Sequence, residues 1–208
     1  MSGAADKEDL SDCLIVVPEA FNCRNGYRSG EVDFSMKESL PDVTRSFSVA
    51  LVAGLIEDSN SGRFSSAYLI DGHVFHLLTQ KLENDGYGAL VYEPRTPAYD
   101  CPLLHRGIIV GALICMDAAN FCNPARERHQ ALLNGLDKRG RSDKVLCVPA
   151  RMGTYSSQAI AQEWPRSLSF ILANAEYNVP SVIRLAGHSN VDVECTDRCN
   201  RVQLLNLA

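Results

Sequence analysis

Three residues of reactive type stand where apolar segments of the sequence end. Glu19 follows the run LIVVP, Lys81 follows a second run after the dipeptide TQ, and Cys115 closes the run GALI. In α/β proteins, ligand sites collect at the carboxyl ends of strands, so these side chains could converge. Each also fits an ordinary structural role when taken alone: a Glu or Lys in a surface turn, and a Cys that packs in the core.

A carboxylate, an ammonium group and a thiol complement one another chemically. A neutral thiol attacks poorly, so a carboxylate must accept its proton and a neighbouring cation must favour the thiolate. Attack on an electrophilic carbon then places negative charge on the substrate, which an ammonium group and a backbone N–H can stabilise. Glu19, Lys81 and Cys115 supply the three side chains of such a set if the fold brings them together.

Short apolar runs alternate with helix-like stretches, a pattern typical of layered α/β proteins. The dipeptide Asp71-Gly72 predicts the turn of a hairpin between two of these runs, and Gly107–Cys115 is apolar enough to predict a central strand covered on both faces. The predicted strands are Leu14–Val17, Ser48–Ile56, Ser66–Ile70, His73–Leu78, Gly107–Cys115, Val145–Val148 and Ser181–Leu185.

Two helices are predicted between these strands. Asn123-Pro124 is typical of a helix start, and this helix is expected to run toward Gly135. A second helix is expected to start near Pro165, where apolar residues recur at helical spacing. These residues are Leu168, Ile171, Leu172 and Ala175. Two long loops, usually functional in a compact domain, are predicted at Asn22–Asp42 and Asn84–Arg106.

The composition fits one globular domain and excludes several classes of protein. The chain has 208 residues, of which 46% are hydrophobic, and its net charge of −5 argues against a general nucleic-acid-binding protein. No apolar run reaches the roughly 18 residues of a membrane span. Residues 1–12 form a polar, acidic tail rather than a targeting sequence, so we expect a cytoplasmic protein with a single domain at residues 13–208.

Eight cysteines are spread along the chain without a CxxC pair. This spacing does not support a zinc ribbon, and in a cytoplasmic protein we expect reduced thiols. Cys13, Cys115 and Cys147 lie in or against apolar runs, where a thiol packs as a small hydrophobic group. Cys195 and Cys199 could form a bridge on oxidation, although two separate thiols are the more ordinary interpretation.

Two further groups of polar residues are assigned no chemistry. His73 and His76 lie close in sequence, but a metal ion would need further ligands, so no metal site is predicted. The polar run Arg126–His129 is expected to form the solvated face of its helix.

Several motifs occur together in the order and approximate spacing of one protein family. They are LIVVPEAF, FSSAYLIDG followed by TQK, GIIVGALICMDAANF, the turn Val148–Arg151, the segment Ala175–Asn178, and Gly187–Ser189. In this combination the sequence resembles the nitrilase, or carbon–nitrogen hydrolase, superfamily over nearly the whole chain. That family shows an apolar strand ending in Pro-Glu, then a hairpin leading to a lysine, then a G-x-x-I-C-x-D segment.

The resemblance implies an α/β fold, a four-layer α-β-β-α sandwich, and an activity. It makes Glu19 the general base, Lys81 the electrostatic stabiliser and Cys115 the nucleophile, and it makes the backbone N–H of Met116 a second donor to the developing negative charge. The implied reaction is hydrolysis of a non-peptide C–N bond in a small amide, N-carbamoyl compound or nitrile through a cysteine thioester. No metal or organic cofactor is expected.

The resemblance also implies residues on the substrate side of the site. Many members use a second glutamate, between the lysine and the cysteine, to position the substrate. Glu83 and Glu93 are both candidates for this role, and the sequence does not choose between them. Asp117, which keeps the family's aspartate after the cysteine, is grouped with Met116 among the expected substrate-binding residues.

The sequence departs from the family at its start. Members normally carry another strand and helix before the Pro-Glu strand, so the usual first strand is expected to be missing here. Leu14–Val17 would then be an uncovered apolar edge, which a second chain could cover, and we expect a homo-oligomer with no nucleic-acid or membrane partner. The alternative function is a truncated, catalytically silent relative that acts as a structural or regulatory subunit.

Overall fold

The strands of the protein form two sheets of five and six strands. The computed structural model describes residues 13–23, 31–60, 62–82, 103–119, 123–137, 143–152, 156–176, 179–193 and 203–206. The elements are β1 Cys13–Val17, α1 Phe34–Phe47, β2 Ala50–Ser59, β3 Gly62–Asp71, β4 Val74–Gln80, β5 Leu103–His105, β6 Ile108–Ala112, a 3₁₀ helix Cys115–Ala118, α2 Asn123–Asp137, β7 Asp143–Ala150, α3 Ser157–Glu163, β8 Ser169–Asn174, β9 Ser181–Arg184, β10 Val191–Val193 and β11 Gln203–Asn206. None of the described helices is long and apolar enough to cross a membrane.

The first sheet has the strand order β11-β1-β2-β3-β4, and the second has the order β10-β9-β8-β7-β6-β5. β1 runs parallel to β2, and β2, β3 and β4 follow as antiparallel hairpins. In the second sheet, β6, β7 and β8 are parallel neighbours. Because β1, β6 and β7 are all followed by turns at their carboxyl ends, these turns can form one site.

The two sheets pack face to face, with helices on the outside. Leu14 and Val16 of β1 share one apolar cluster with Leu146 and Val148 of β7, whereas Val17 and Leu51 pack with Leu40 of α1. Alternate residues of a strand point to opposite faces, so α1 covers the outer face of the first sheet. The second sheet is covered on its other side by helix residues, among them Leu132 of α2 and Ile160 of α3. The predicted α-β-β-α sandwich is confirmed.

The predicted open edge at Leu14–Val17 is wrong. β1 lies between β2 and β11, and it pairs with β11 in antiparallel register from Cys13↔Asn206 to Val16↔Gln203. A strand from the other end of the described chain therefore occupies the position that the sequence left empty. The backbone N–H and C=O groups of β1 face a neighbour on both sides, which removes the expected aggregation hazard.

Helix α1 lies within the segment that was predicted to be a loop, so Asn22–Asp42 is wrong as a loop prediction from Phe34 onward. Asp33 caps the helix by accepting a hydrogen bond from the backbone N–H of Ser35 at 3.1 Å. Pro41 lies inside the helix, where it cannot donate to the preceding turn and argues against a helix in the sequence. Of the second predicted loop, Leu103–His105 forms β5 and residues 83–102 lie outside the described residues.

The predicted helix near Pro165 is also wrong, because Ser169–Asn174 forms β8 between β7 and β9. Its residues from Phe170 to Ala173 are all fully buried. When both faces of a strand are covered, every position is apolar, so helical spacing arises by chance. The other strands, the hairpin at Asp71-Gly72 and helix α2 are confirmed within a few residues, while α3 was not predicted.

We predict that β1 depends on β11. A variant that ends after Val202 should show amide exchange in Cys13–Val17 that is at least about tenfold faster, and it should aggregate more readily, because one side of β1 becomes an open edge. Hydrogen exchange read by mass spectrometry, with a variant that ends after Asn206 as the matched control, measures this. Equal exchange in β1 of both variants would contradict the pairing.

Candidate active site

Glu19 and Lys81 form an ion pair in the interior of the protein. Glu19 lies in the turn after β1 and Lys81 directly after β4, and the Lys81 Nζ atom donates to Glu19 Oε1 at 2.8 Å. Their side chains are 0% and 1% exposed, respectively. Removing two charges from water costs several kcal/mol for each ion, so a buried pair is weak evidence for stability, and a role in chemistry is the stronger explanation.

One oxygen of Glu19 is occupied and the other is not. Oε1 accepts from Lys81 and also from the Ser65 hydroxyl at 2.9 Å. Ser65 holds both partners, because its backbone carbonyl accepts from the N–H of Lys81 at 2.9 Å. Glu19 Oε2 is buried and has no hydrogen-bond partner among the residues that the structure describes. A buried carboxylate oxygen without a donor is costly, and it is ready to accept a proton.

Gly54 makes room for Glu19 between the sheets. A β-carbon at this position of β2 would lie 2.8 Å from the Cα atom of Glu19 and 2.8 Å from the Cβ atom of Pro149 in β7. Ala20, the residue after Glu19, has a φ of +56°, in the left-handed region that non-glycine residues seldom adopt. The position of the carboxylate thus depends on a close approach of three backbone segments.

Cys115 lies at a strained turn between β6 and the 3₁₀ helix. Its φ is +51° and it is 2% exposed. Such a backbone conformation costs about 1–3 kcal/mol and clusters at functional sites. The thiol donates to the backbone carbonyl of Arg151 at an Sγ···O distance of 3.7 Å. Arg151 follows β7, so the thiol and the Glu19 turn both contact the carboxyl end of β7.

Asp117 ties the 3₁₀ helix to the backbone beside Lys81. Both carboxylate oxygens accept from the N–H of Leu82, at 3.2 and 3.0 Å. This contact holds the nucleophile turn next to the residue that follows Lys81. Asp117 is fully buried, so its carboxylate is placed to fix the backbone rather than to meet a ligand.

Two aromatic side chains anchor the same 3₁₀ helix from the outer helices. His129 Nε2 lies 2.6 Å from the carbonyl oxygen of Asp117, so this nitrogen carries the proton and donates. Trp164 Nε1 donates to the carbonyl of Ala118 at 3.1 Å, and its ring packs on that of His129. His129 is 8% exposed, so its predicted place on a solvated helix face is wrong. Glu127 in the same run is exposed.

The end of β7 is braced by an asparagine. Asn174 Oδ1 accepts from the N–H of Met152, and its Nδ2 group donates to the carbonyls of Met152 and Val179. Beside this brace, Arg151 Nε donates to Glu176 Oε1 at 2.8 Å. Ala175 and Glu176 follow β8 directly, so the segment that matches the family's A-x-E-N motif starts at a strand end rather than on a helix.

The structure brings most of the predicted site residues to one edge of the sandwich. Glu19 and Lys81 are in contact, Asp117 links the Lys81 backbone to the Cys115 turn, and Met116 directly follows Cys115 in that turn. Glu83 and Glu93 lie outside the described residues. Within the described ranges, no three His, Cys, Asp or Glu side chains are grouped so that they could hold a metal ion.

Sequence reasoning missed the residues that position the set. These are Ser65, Gly54, His129, Trp164 and Asn174. Ser65 lies within the FSSAYLIDG motif, which could have signalled its role. The others act through contacts between distant segments, which no local pattern shows.

We predict that Gly54→Ala lowers the free energy of unfolding by about 1–3 kcal/mol, because its methyl group would overlap the Glu19 backbone. Gly111→Ala is the matched control in β6. There a β-carbon meets only the Leu132 side-chain end, at 3.1 Å, which can shift, so the change should stay below about 1 kcal/mol. Chemical denaturation measures both, and equal stability of the two variants would contradict the close approach.

Known structures share this architecture. A glutamine-dependent NAD+ synthetase from Acinetobacter baumannii superposes with a TM-score of 0.63 and 14% sequence identity, covering 93% of this chain and 39% of that chain. A mutant of the amidase from Nesterenkonia sp. AN1, from the nitrilase superfamily, gives 0.63 and 20%, covering 94% and 78%. Saccharomyces cerevisiae Nit3, a member of branch 10 of the nitrilase superfamily, gives 0.62 and 14%, covering 93% and 76%.

The chain thus spans well under half of the synthetase and about three quarters of the other two proteins. No protein-family model matches the sequence, and no curated protein does so. The likeness therefore lies in the architecture, and it extends over nearly the whole chain. The protein has the fold of the nitrilase superfamily, as the combination of motifs in its sequence predicts.

Proposed function

We propose that the protein is a thiol hydrolase that cleaves a non-peptide C–N bond in a small amide, N-carbamoyl compound or nitrile. The observation that carries this proposal is the buried Glu19–Lys81 pair, whose carboxylate keeps one oxygen without a donor among the described residues. Its fold is also that of an amidase, the Nesterenkonia protein. Cys115 supplies the nucleophile at a strained turn next to the same edge.

The first half of the proposed reaction forms a thioester. The Cys115 thiol gives its proton to Glu19 Oε2, and the sulfur forms a bond to the substrate's carbonyl carbon while the π electrons move to the oxygen. The ammonium group of Lys81 stabilises this oxyanion together with the backbone N–H of Met116, which lies in the first turn of the 3₁₀ helix. The C–N bond then breaks, and the leaving nitrogen takes the proton from Glu19.

The second half releases the acid. Glu19 accepts a proton from water, whose oxygen attacks the thioester carbon, and the C–S bond breaks as the thiolate leaves and takes that proton back. One water is consumed and one ammonia or amine is released. In this scheme Asp117 positions the nucleophile turn through Leu82, because both of its oxygens accept from that backbone N–H.

A catalytically silent subunit is the alternative function, and its motive has weakened. It rested on an uncovered β1 edge, whereas β1 has neighbours on both sides. A homo-oligomer stays a prediction.

We predict that Cys115→Ala abolishes ammonia release and that Cys115→Ser retains little, since a hydroxyl group is far less acidic than a thiol. Cys147→Ala is the control and should stay active, because burial raises the pKa of the Cys147 thiol and keeps it protonated. A screen of amides, N-carbamoyl compounds and nitriles, read by ammonia release, provides the substrate. Turnover by Cys115→Ala near the parent rate would contradict the proposal.

Selective alkylation tests the same nucleophile without a substrate. The Nesterenkonia amidase forms a Michael adduct of acrylamide at its active-site cysteine. Acrylamide should modify Cys115 well before Cys23 and Cys147, because burial raises the pKa of both of those thiols. Peptide mapping after timed labelling measures the order. Faster labelling of Cys147 than of Cys115 would contradict the assignment.

We predict that Glu19→Gln and Lys81→Met each lower kcat by at least about 100-fold, the scale of lost base catalysis or lost oxyanion stabilisation. The losses should not add in the double variant, because the two residues act as a unit. Glu57→Gln and Lys37→Met are matched controls, since they break another Lys–Glu pair, between β2 and α1. Additive losses at Glu19 and Lys81 would indicate independent, indirect roles.

A further inference from the structure

Arg151 combines a backbone contact to the nucleophile with a partly exposed guanidinium group. Its carbonyl oxygen accepts from the Cys115 thiol, so the residue borders the reacting sulfur. The side chain is 27% exposed, in contrast to the nearly fully buried Glu19 and Lys81. A charged group at the border of a buried site can meet a part of the substrate that does not react.

The guanidinium group is oriented but not saturated. Its Nε atom donates to Glu176 Oε1 at 2.8 Å, whereas the two terminal amino groups have no hydrogen-bond partner among the described residues. The planar guanidinium presents its donors in a fixed fork that matches a carboxylate. An Arg that is held through Nε keeps the outer edge of this fork available for two parallel hydrogen bonds.

The charge of Arg151 also reaches the turn that carries Glu19. It acts on the Cys23 thiol, four residues after Glu19, where it opposes the effect of burial, and Glu19 itself acts on the same thiol. Arg151 and Glu19 therefore lie within electrostatic range of one position. A Glu176 carboxylate that is 37% exposed is the opposing charge beside Arg151, and it fixes the side chain rather than covering the fork.

We propose that Arg151 binds a carboxylate group of the substrate. The site then takes small amides or N-carbamoyl compounds that carry a free carboxylate, in preference to neutral compounds of the same shape. This inference rests on the proposed function, since it names the substrate class of that site. Arg151 makes its contact in the ground state and in the transition state alike, so its loss should raise KM more than it lowers kcat.

Two substrate pairs test the preference. N-carbamoylglycine is compared with N-ethylurea, and succinamate with butyramide, because each pair differs by a carboxylate in place of a methyl group. The wild type should show a kcat/KM at least about tenfold higher for the carboxylate member, the scale of a hydrogen bond to a charged group. Arg151→Met should remove this preference through KM and leave the neutral member unchanged, whereas Arg151→Lys should keep part of it.

Arg45→Met is the matched control, because Arg45 is an exposed arginine of α1 that pairs with Asp42 in the same helix. It should leave all four kcat/KM values unchanged. Equal kcat/KM within each pair for the wild type overturns the inference even if Arg151→Met does not fold. A preference that survives in a folded Arg151→Met variant overturns it as well.

Both of these results leave the proposed function standing, since Cys115 still hydrolyses the compounds. In contrast, a wild-type protein that hydrolyses none of the four compounds and shows no acylation of Cys115 counts against the proposed function and overturns the inference with it.

Discussion

The buried ion pair between Glu19 and Lys81 is the constraint on which the rest of the site depends. Neither charge is stable in the interior alone, and removing one partner of such a pair typically costs about 3–5 kcal/mol. Each must therefore be held where the other can neutralise it. Ser65 meets this need by accepting from the Lys81 backbone while it donates to the Glu19 carboxylate. The pair leaves one carboxylate oxygen without a donor among the described residues, which links the cost of burial to a chemical use.

The packing of the two sheets serves this pair. Gly54 allows the Glu19 backbone to pass between β2 and β7, and the Asp117–Leu82 contact joins the Cys115 turn to the backbone beside Lys81. His129 and Trp164 hold the same turn from the outer helices. Strain at Cys115 is thus fixed by contacts on several sides, as a strained residue at a functional site requires.

Much of this could be predicted from the sequence, because strong local signals and joint motifs coincide. The Asp71-Gly72 turn and the Pro-Glu, Lys and Cys positions were all visible. The errors have physical causes: β8 is buried on both faces, so its periodicity carried no information, and α1 contains Pro41. The pairing of β1 with β11 and the roles of Ser65 and Gly54 depend on contacts between segments far apart in the chain, which local patterns do not encode.

The most direct test of the central claim is to look for the covalent intermediate itself. A substrate found by ammonia release is mixed with the wild-type protein, quenched in acid within a single turnover, and analysed by intact-mass and peptide spectrometry. The account predicts an added acyl mass on the peptide that contains Cys115, which hydroxylamine removes and which forms and decays at rates consistent with kcat. Turnover without any adduct on Cys115, or with an adduct on another cysteine, would contradict it.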